Sequence, residues 1–222
     1  CGGGKYDGVL VGAPAFVGSF LRDGVRNYAR FARADAAGRA QYYKELREMV
    51  AQLESVPSLA VWVPFNEGWG QFDAAKAVEE IRARDDTRTV DHASGWHDQG
   101  IGEVQSLHVY FRPYRFKRDR RGRAVLLSEF GGYNYKVPGR CFGDADFGYK
   151  RVGSVDELLR AFCRLYEKEI IPAKSKGLAA AIYTQLSDVE DELNGLVTYD
   201  RGIAKLPEGE VRALMEKLME VN

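Results

Sequence analysis

Residues 59–70 read Leu-Ala-Val-Trp-Val-Pro-Phe-Asn-Glu-Gly-Trp-Gly and set the expectation for the fold. The stretch begins as a continuous apolar run, which is typical of a strand buried on both faces of a parallel sheet. Asn66 and Glu67 close the run, and a glycine-rich loop with Trp69 follows. In a (β/α)8 barrel, the carboxyl ends of the strands carry the active site. The stretch therefore predicts an amide and a carboxyl at the functional end of a buried strand.

A second segment repeats this design. Residues 124–132 read Ala-Val-Leu-Leu-Ser-Glu-Phe-Gly-Gly, an apolar run that ends in Glu129 and two glycines. Retaining glycoside hydrolysis uses two carboxyl groups about 5–5.5 Å apart, one as acid/base and one as nucleophile. Glu67 and Glu129 are therefore a candidate catalytic pair.

Three motifs together resemble glycoside hydrolase family 2, which contains β-galactosidases, β-glucuronidases and β-mannosidases. They are N-E-G-W-G at 66–70, S-E-F-G-G at 128–132 and Y-T-Q-L-S-D-V-E-D-E-L-N-G-L at 183–196. The resemblance runs from about Cys1 to about Lys205 and implies an α/β fold, the TIM (β/α)8 barrel of the retaining glycosidase clan. It also implies that Glu67, after the fourth strand, is the acid/base and that Glu129, after the seventh, is the nucleophile.

The resemblance and the strand pattern suggest three further site residues. Asn66 would bind the sugar 2-hydroxyl through a hydrogen bond that strengthens in the transition state. Tyr110 resembles the clan's tyrosine that orients the nucleophile, and a buried core tyrosine is the alternative. His108 faces the same side of the strand two residues earlier. It would touch a sugar hydroxyl, unless it is simply an interior histidine.

Two tryptophans are candidate platforms for stacking sugar rings. Trp69 and Trp96 both follow predicted strand ends, whereas Trp62 lies inside a strand and is predicted to be core. The acidic run at 188–192 is interpreted as a solvated loop, and a site for substrate hydroxyls or a divalent cation is the alternative.

The order of elements alternates strands with helices, which favours a parallel sheet. Asp73 is predicted to cap the second helix, and Ser154 and Glu157 form a capping box before the third. Residues 133–153 are predicted to be a long loop over the site. We expect helices at 41–54, 74–84, 154–170 and about 208–221, and strands at 59–65, 87–93, 104–111, 124–130 and 178–184.

Length and charge limit the possible functions. The chain has 222 residues and is 45% hydrophobic, which is enough for one sizeable core. A whole barrel takes about 250 residues, so we expect one domain over 1–222 that lacks the first three strands. The 32 basic and 32 acidic residues balance, which argues against nucleic acid or an acidic membrane as partner. The basic cluster at 112–123 is interpreted as a solvated loop rather than a polyanion site.

The sequence gives little information about cofactors or the cellular compartment. Three cysteines give neither a disulfide framework nor the spacing of metal ligands, and no apolar run is long enough to span a membrane. We therefore expect no metal and no cofactor. The expected partner is a carbohydrate, while the sugar, the oligomeric state and the compartment stay open.

Three functions are compatible with this pattern. The first is a retaining β-glycosidase that hydrolyses terminal β-glycosidic bonds. The second is a carbohydrate-binding barrel with impaired catalysis, or an inactive fragment, because the strands expected to be missing carry sugar-binding residues in the family. The third is a barrel enzyme of unrelated chemistry such as metal-assisted hydrolysis, which no cluster of His and Asp ligands in the sequence supports.

Overall fold

The computed structural model describes residues 21–220, so the part of the family resemblance that falls on residues 1–20 lies outside the described chain. The helices are α1 (Ala36–Leu53), α2 (Ala74–Arg82), α3 (Val155–Leu165), α4 (Ile171–Lys174) and α5 (Glu208–Glu220), with a 3-10 turn at Val25–Asn27 and a π-helical turn at Tyr166–Ile170. The strands are β1 (Val61–Trp62), β2 (Thr89–Val90), β3 (Val104–Val109), β4 (Ala124–Phe130), β5 (Tyr133–Asn134), β6 (Lys150–Arg151) and β7 (Leu178–Tyr183).

The predicted barrel, complete or incomplete, is wrong. Among the described residues, the strands form three small sheets instead of a closed ring: β1 with β2, β5 with β6, and a three-stranded sheet in the order β3-β4-β7. The apolar run at 59–65 contributes only Val61 and Trp62 to a strand. Pro64 lies just beyond them, and a proline has no N–H to continue a ladder of hydrogen bonds. The chain is therefore a mixed α/β structure with short strands.

Two of the three small sheets, β1 with β2 and β5 with β6, are parallel. In the first of these, Val61 lies opposite Thr89. The backbone N–H of Thr184 donates to the carbonyl of Phe130 at 2.9 Å, which joins the carboxyl ends of β7 and β4. Parallel strands bring the residues that follow them to one edge of a sheet.

The chain divides into two compact units. The first unit contains the residues up to His108 together with Asp119–Leu126, and the second contains Val109–Arg118 together with the residues from Leu127 onward. The division passes through β3 and β4, so each unit has its own portion of these strands.

Packing of α1 against α2 forms the core of the first unit. Asp35 begins α1 by accepting hydrogen bonds from the backbone N–H groups of Ala37 and Gly38, at 3.1 and 2.8 Å. The helix therefore starts five residues before the predicted boundary at 41. Its buried face packs with Trp62, which is confirmed as a core residue. The Trp62 indole N–H is satisfied by the Asp85 carboxylate at 2.8 Å.

The start of α2 differs from the prediction. Asp73 occupies the cap position, but its backbone is left-handed (φ +40°) and its side chain makes no capping hydrogen bond. Asp23 makes the capping hydrogen bond instead, because its Oδ2 accepts from the Ala74 backbone N–H at 3.1 Å. The Asp73 carboxylate accepts from the Tyr28 hydroxyl. A cap supplied from 51 residues away leaves no signal in the local sequence.

The second unit is built on α3 and the strands that precede it. Ser154 caps α3 as predicted, with its Oγ accepting from the Glu157 backbone N–H at 3.2 Å. The Glu157 carboxylate reaches the backbone N–H of Gly153 instead of closing the capping box on Ser154. The predicted helix 154–170 continues as the π-helical turn after Leu165. Residues 133–153 are mostly irregular, with the short β5–β6 pair inside them.

Candidate functional site

Backbone hydrogen bonds hold Glu67 at the carboxyl end of the β1 segment. The Ser94 N–H donates to the carbonyl of Phe65 and the Glu67 N–H donates to the carbonyl of Ser94, both at 2.9 Å. These bonds extend the pairing of β1 with β2 by an isolated parallel bridge between Asn66 and Ser94. Glu67 itself has a left-handed backbone with φ +52°. The short strand thus still delivers Asn66 and Glu67 to its end.

A buried histidine connects Glu67 to Ser94. His108 lies on β3, with Nδ1 at 2.8 Å from the Oε1 of Glu67 and Nε2 at 3.1 Å from the Oγ of Ser94. When Glu67 is ionised, Nδ1–H donates to the carboxylate and Nε2 accepts from the Ser94 hydroxyl. When Glu67 is protonated, both bonds reverse with the other neutral tautomer. The three groups can therefore hold the Glu67 carboxyl in one orientation in either protonation state.

Gly95 makes room for this histidine. A Cβ on Gly95 would lie 2.4 Å from the Cγ of His108, and the glycine also has φ +83°. Any other residue there would displace the imidazole. The sequence did not predict this contact, because it left His108 open between a residue that touches a sugar hydroxyl and an interior histidine. That sugar contact stays a prediction.

The other candidate residues near Glu67 differ in exposure. Trp69 is 54% exposed, and its indole N–H donates to the Oε2 of Glu67 at 3.3 Å. Asn66 is exposed beside it. Trp96 is only 8% exposed, so its ring is part of the core in the described residues. Of the two predicted platforms, Trp69 is therefore the one that presents its ring to solvent.

In the second unit, a tyrosine holds Glu129. The Tyr110 hydroxyl donates to the Oε2 of Glu129 and lies 3.5 Å from the Oγ1 of Thr184. The ring of Tyr149 packs edge-on against Tyr110, with 5.3 Å between ring centroids. Burial raises the pKa of Tyr110, and the negative charge of Glu129 raises it further. The phenol therefore stays protonated at neutral pH and serves as a permanent donor to the carboxylate.

The acidic run is organised by a buried ion pair that the sequence did not reveal. The Nζ of Lys205 lies 2.6 Å from the Oδ1 of Asp188, and both side chains are almost fully buried. The same ammonium donates to the carbonyls of Tyr135 and Leu193 at 2.9 Å. Burial lowers the pKa of Lys205, while the bond to Asp188 opposes that effect. The prediction of a solvated loop is therefore wrong for Asp188, whose role is structural.

The basic cluster contains a similar exception. Most of its cations are exposed, but the side chain of Arg123 is only 5% exposed and forms a fork with Asp98, with N–O distances of 2.9 and 2.6 Å. It also binds Asp119 at 3.0 Å. Burial alone would raise the pKa of Asp98. Hydrogen bonds from Arg123 and His92 outweigh burial and hold this pKa well below its usual range.

Comparisons with known proteins add no relatives. No protein-family model matches the chain, and no curated protein sequence matches it. Within residues 21–220, no helix combines the length and the apolar character needed to cross a membrane. The resemblance to glycoside hydrolase family 2 therefore rests on the three motifs at 66–70, 128–132 and 183–196.

Proposed function

We propose that the protein hydrolyses terminal β-glycosidic bonds with retention of configuration, using Glu129 as nucleophile and Glu67 as acid/base. The observation that carries the proposal is the Tyr110 hydroxyl donating to the Glu129 carboxylate at the end of β4. A nucleophilic carboxylate has to be ionised and fixed in direction, and a hydrogen bond from a phenol that keeps its proton favours both.

The proposed reaction has two steps. In the first, a Glu129 oxygen attacks the anomeric carbon, the glycosidic C–O bond breaks, and Glu67 gives its proton to the leaving oxygen. In the second, Glu67 takes a proton from water, the water oxygen attacks the same carbon, and the ester to Glu129 breaks. Asn66 is exposed next to Glu67, where it would bind the 2-hydroxyl. The bonds from His108 and Trp69 support Glu67 as the group that exchanges the proton.

Two variants test the two roles on 2,4-dinitrophenyl β-galactoside, β-glucuronide and β-mannoside. We expect Glu129→Gln to abolish turnover, without rescue by azide to a product of retained configuration. Glu67→Ala should keep measurable activity, because a dinitrophenolate leaves without protonation, and azide should give the β-glycosyl azide. The exposed Glu216→Gln on α5 is the matched control and should equal wild type.

The stereochemistry of the wild-type product gives an independent check. NMR of the fresh product should show the β-anomer first, since a retaining mechanism is expected from carboxyls about 5–5.5 Å apart. An α-product would indicate inversion and contradict the assignment. Binding of the sugar without turnover, in wild type and both variants alike, would support the carbohydrate-binding alternative instead.

A further inference from the structure

The second unit contains two adjoining cavities beside Tyr110. The smaller has a volume of about 340 Å³ and the larger about 510 Å³. Tyr133, Lys150, Leu165 and Glu169 line both, so the two spaces share a wall. Their volumes lie in the range of small-molecule sites in proteins, which is roughly 300–1,000 Å³.

Four cations without carboxylate partners surround these cavities. Lys150, Arg160 and Arg164 line the larger one and Arg112 lines the smaller. Within residues 21–220, none of these four side chains makes a hydrogen bond or an ion pair to a protein group. Other arginines of the same unit do: Arg140 pairs with Asp200, Arg151 with Asp146 and Arg212 with Glu208. Cations gathered around a concave surface raise the local concentration of anions there.

One carboxylate also faces the cavities, and it is already engaged. The Oε2 of Glu169 accepts a hydrogen bond from the backbone N–H of Tyr114 at 2.6 Å. In the larger cavity, three cations therefore face a single carboxylate that is bound to the backbone. The excess positive charge is left for a ligand.

The smaller cavity adds aromatic surface. Tyr110, Phe111, Tyr133 and Tyr149 line it. Aromatic rings with polar edges pack against the apolar faces of ligands and still offer hydroxyl donors. The Tyr110 hydroxyl is bonded to Glu129, yet Glu129 does not line the cavity. A ligand in this space therefore contacts the ring of Tyr110 without placing an atom on the proposed nucleophile.

We propose that the two cavities form a binding site for an acidic saccharide unit, distinct from the sugar that Glu129 attacks. The aromatic cavity takes a pyranose ring, and a sulfate or carboxylate group of the saccharide binds Arg160, Arg164 and Lys150. Guanidinium groups suit both anions because they donate two parallel hydrogen bonds. The preference for an anion rests on the four cations, and the choice of a saccharide rests on the proposed function.

Calorimetric titration of the whole chain tests this site. Three probes are compared: a disaccharide with one sulfate ester, a disaccharide with one uronate, and their neutral parent. Losing hydrogen bonds to a charged group costs about 1.5–3 kcal/mol, which is about tenfold or more in affinity. We expect at least one acidic probe to bind about tenfold more tightly than the neutral parent. The acidic probe that binds more tightly shows whether the site prefers a sulfate or a carboxylate group.

Variants assign that preference to the cavity. The double variant Arg160→Gln/Arg164→Gln should lose the preference for the acidic probe, whereas Arg164→Lys should keep most of it. Lys168 is an exposed cation outside the cavities, so Lys168→Gln should match wild type. Equal affinities for acidic and neutral probes, or a preference that survives the double substitution, would overturn the proposal. Tighter binding of a single-stranded oligonucleotide than of either acidic disaccharide would also overturn it.

Separate measurements of binding and of hydrolysis distinguish a failure of the anion site from a failure of the proposed function. The titrations are repeated in Glu129→Gln, where we expect the acidic preference to persist because Glu129 does not line the cavity. If the wild-type protein prefers the acidic probe but hydrolyses no aryl glycoside, the proposed function is wrong and the anion site stands. If it hydrolyses an aryl glycoside but does not prefer the acidic probe, the anion site is wrong and the proposed function stands.

Discussion

At the scale of single residues, each of the two proposed catalytic carboxyls is bonded to a side chain of different chemistry. Glu129 has a phenol that keeps its proton, whereas Glu67 has an imidazole that can donate or accept. This difference matches the two proposed roles, since only the acid/base has to exchange a proton. His108 is thus a positioning residue for Glu67.

Replacing this histidine should affect the acid step selectively. We expect His108→Leu to lower kcat/KM about 10- to 100-fold on alkyl glycosides, because one hydrogen bond to a charged group contributes about 1.5–3 kcal/mol. On dinitrophenyl glycosides the loss should be small, because their leaving group needs no proton. Ser94→Ala, which removes the bond between the Ser94 hydroxyl and the Nε2 of His108, should have a weaker effect of the same kind. Equal losses on both substrates would contradict a role through Glu67.

The sequence predicted the strand-end carboxyls but not their partners. Glu67 and Glu129 each follow a local apolar run, and such a run is visible in a short window. The contact between His108 and Glu67 joins residues 41 positions apart. It depends on how β3 lies beside the β1 segment, and no local pattern encodes that. The buried roles of Lys205 and Arg123 were missed for the same reason.

At the scale of elements, Arg123 fixes the connection between β3 and β4. Its guanidinium joins Asp98 and Asp119 and also donates to the carbonyls of Ile101 and Val104 at 3.3 Å. Removing one partner of a buried ion pair leaves an uncompensated charge. The loop therefore depends on this one side chain.

We expect Arg123→Met to lower the free energy of unfolding by about 3–5 kcal/mol, measured by urea denaturation. Arg120→Met, at an exposed position of the same loop, should change it by no more than about 0.5 kcal/mol. If the two variants unfold at the same urea concentration, the ion-pair network does not stabilise the unit.

The same network predicts a pH dependence. The pKa of Asp98 is lowered in the folded chain, so its contribution to stability is present above the unfolded pKa of about 3.9 and is lost as the pH falls further. Wild type should therefore lose stability below about pH 4 more steeply than Arg123→Met. Parallel declines of the two proteins between pH 4 and pH 2 would count against this assignment.

Local capping signals succeeded or failed according to backbone geometry. Ser154 precedes α3 in an extended conformation, from which its hydroxyl reaches the N–H of Glu157. Asp73 looks equivalent in sequence, but its left-handed backbone turns the side chain away and Asp23 replaces it. The residue type predicts that a helix begins nearby, and the chain's path decides which side chain caps it.

At the scale of the whole molecule, three separate sheets leave strand edges that a closed barrel would not have. Within the described residues, β7 pairs on one side only and carries Ile182, which is 58% exposed. Apolar edge strands are templates for pairing with another chain. Barrel closure could not be judged from the sequence, because it depends on distant strand pairs rather than on motifs.

We expect the protein to associate as its concentration rises, and Ile182→Lys to shift it towards the monomer in light scattering after size-exclusion chromatography. A charged side chain on an edge strand opposes pairing with a second edge. Met219→Lys, at an apolar residue on α5 that is more exposed than Ile182 (75% against 58%), should leave the association unchanged. A monomer at every concentration, or equal effects of both substitutions, would show that β7 is not the contact.

The left-handed backbone of Glu67 implies a trade-off between stability and activity. A side chain in this conformation costs about 1–2 kcal/mol, and glycine avoids that cost. We expect Glu67→Gly to unfold with a free energy about 1 kcal/mol higher than Glu67→Ala, although neither has the carboxyl. Selection for stability alone would favour glycine at this position. A glutamate is retained there only if its carboxyl is worth more to the organism than the stability it costs.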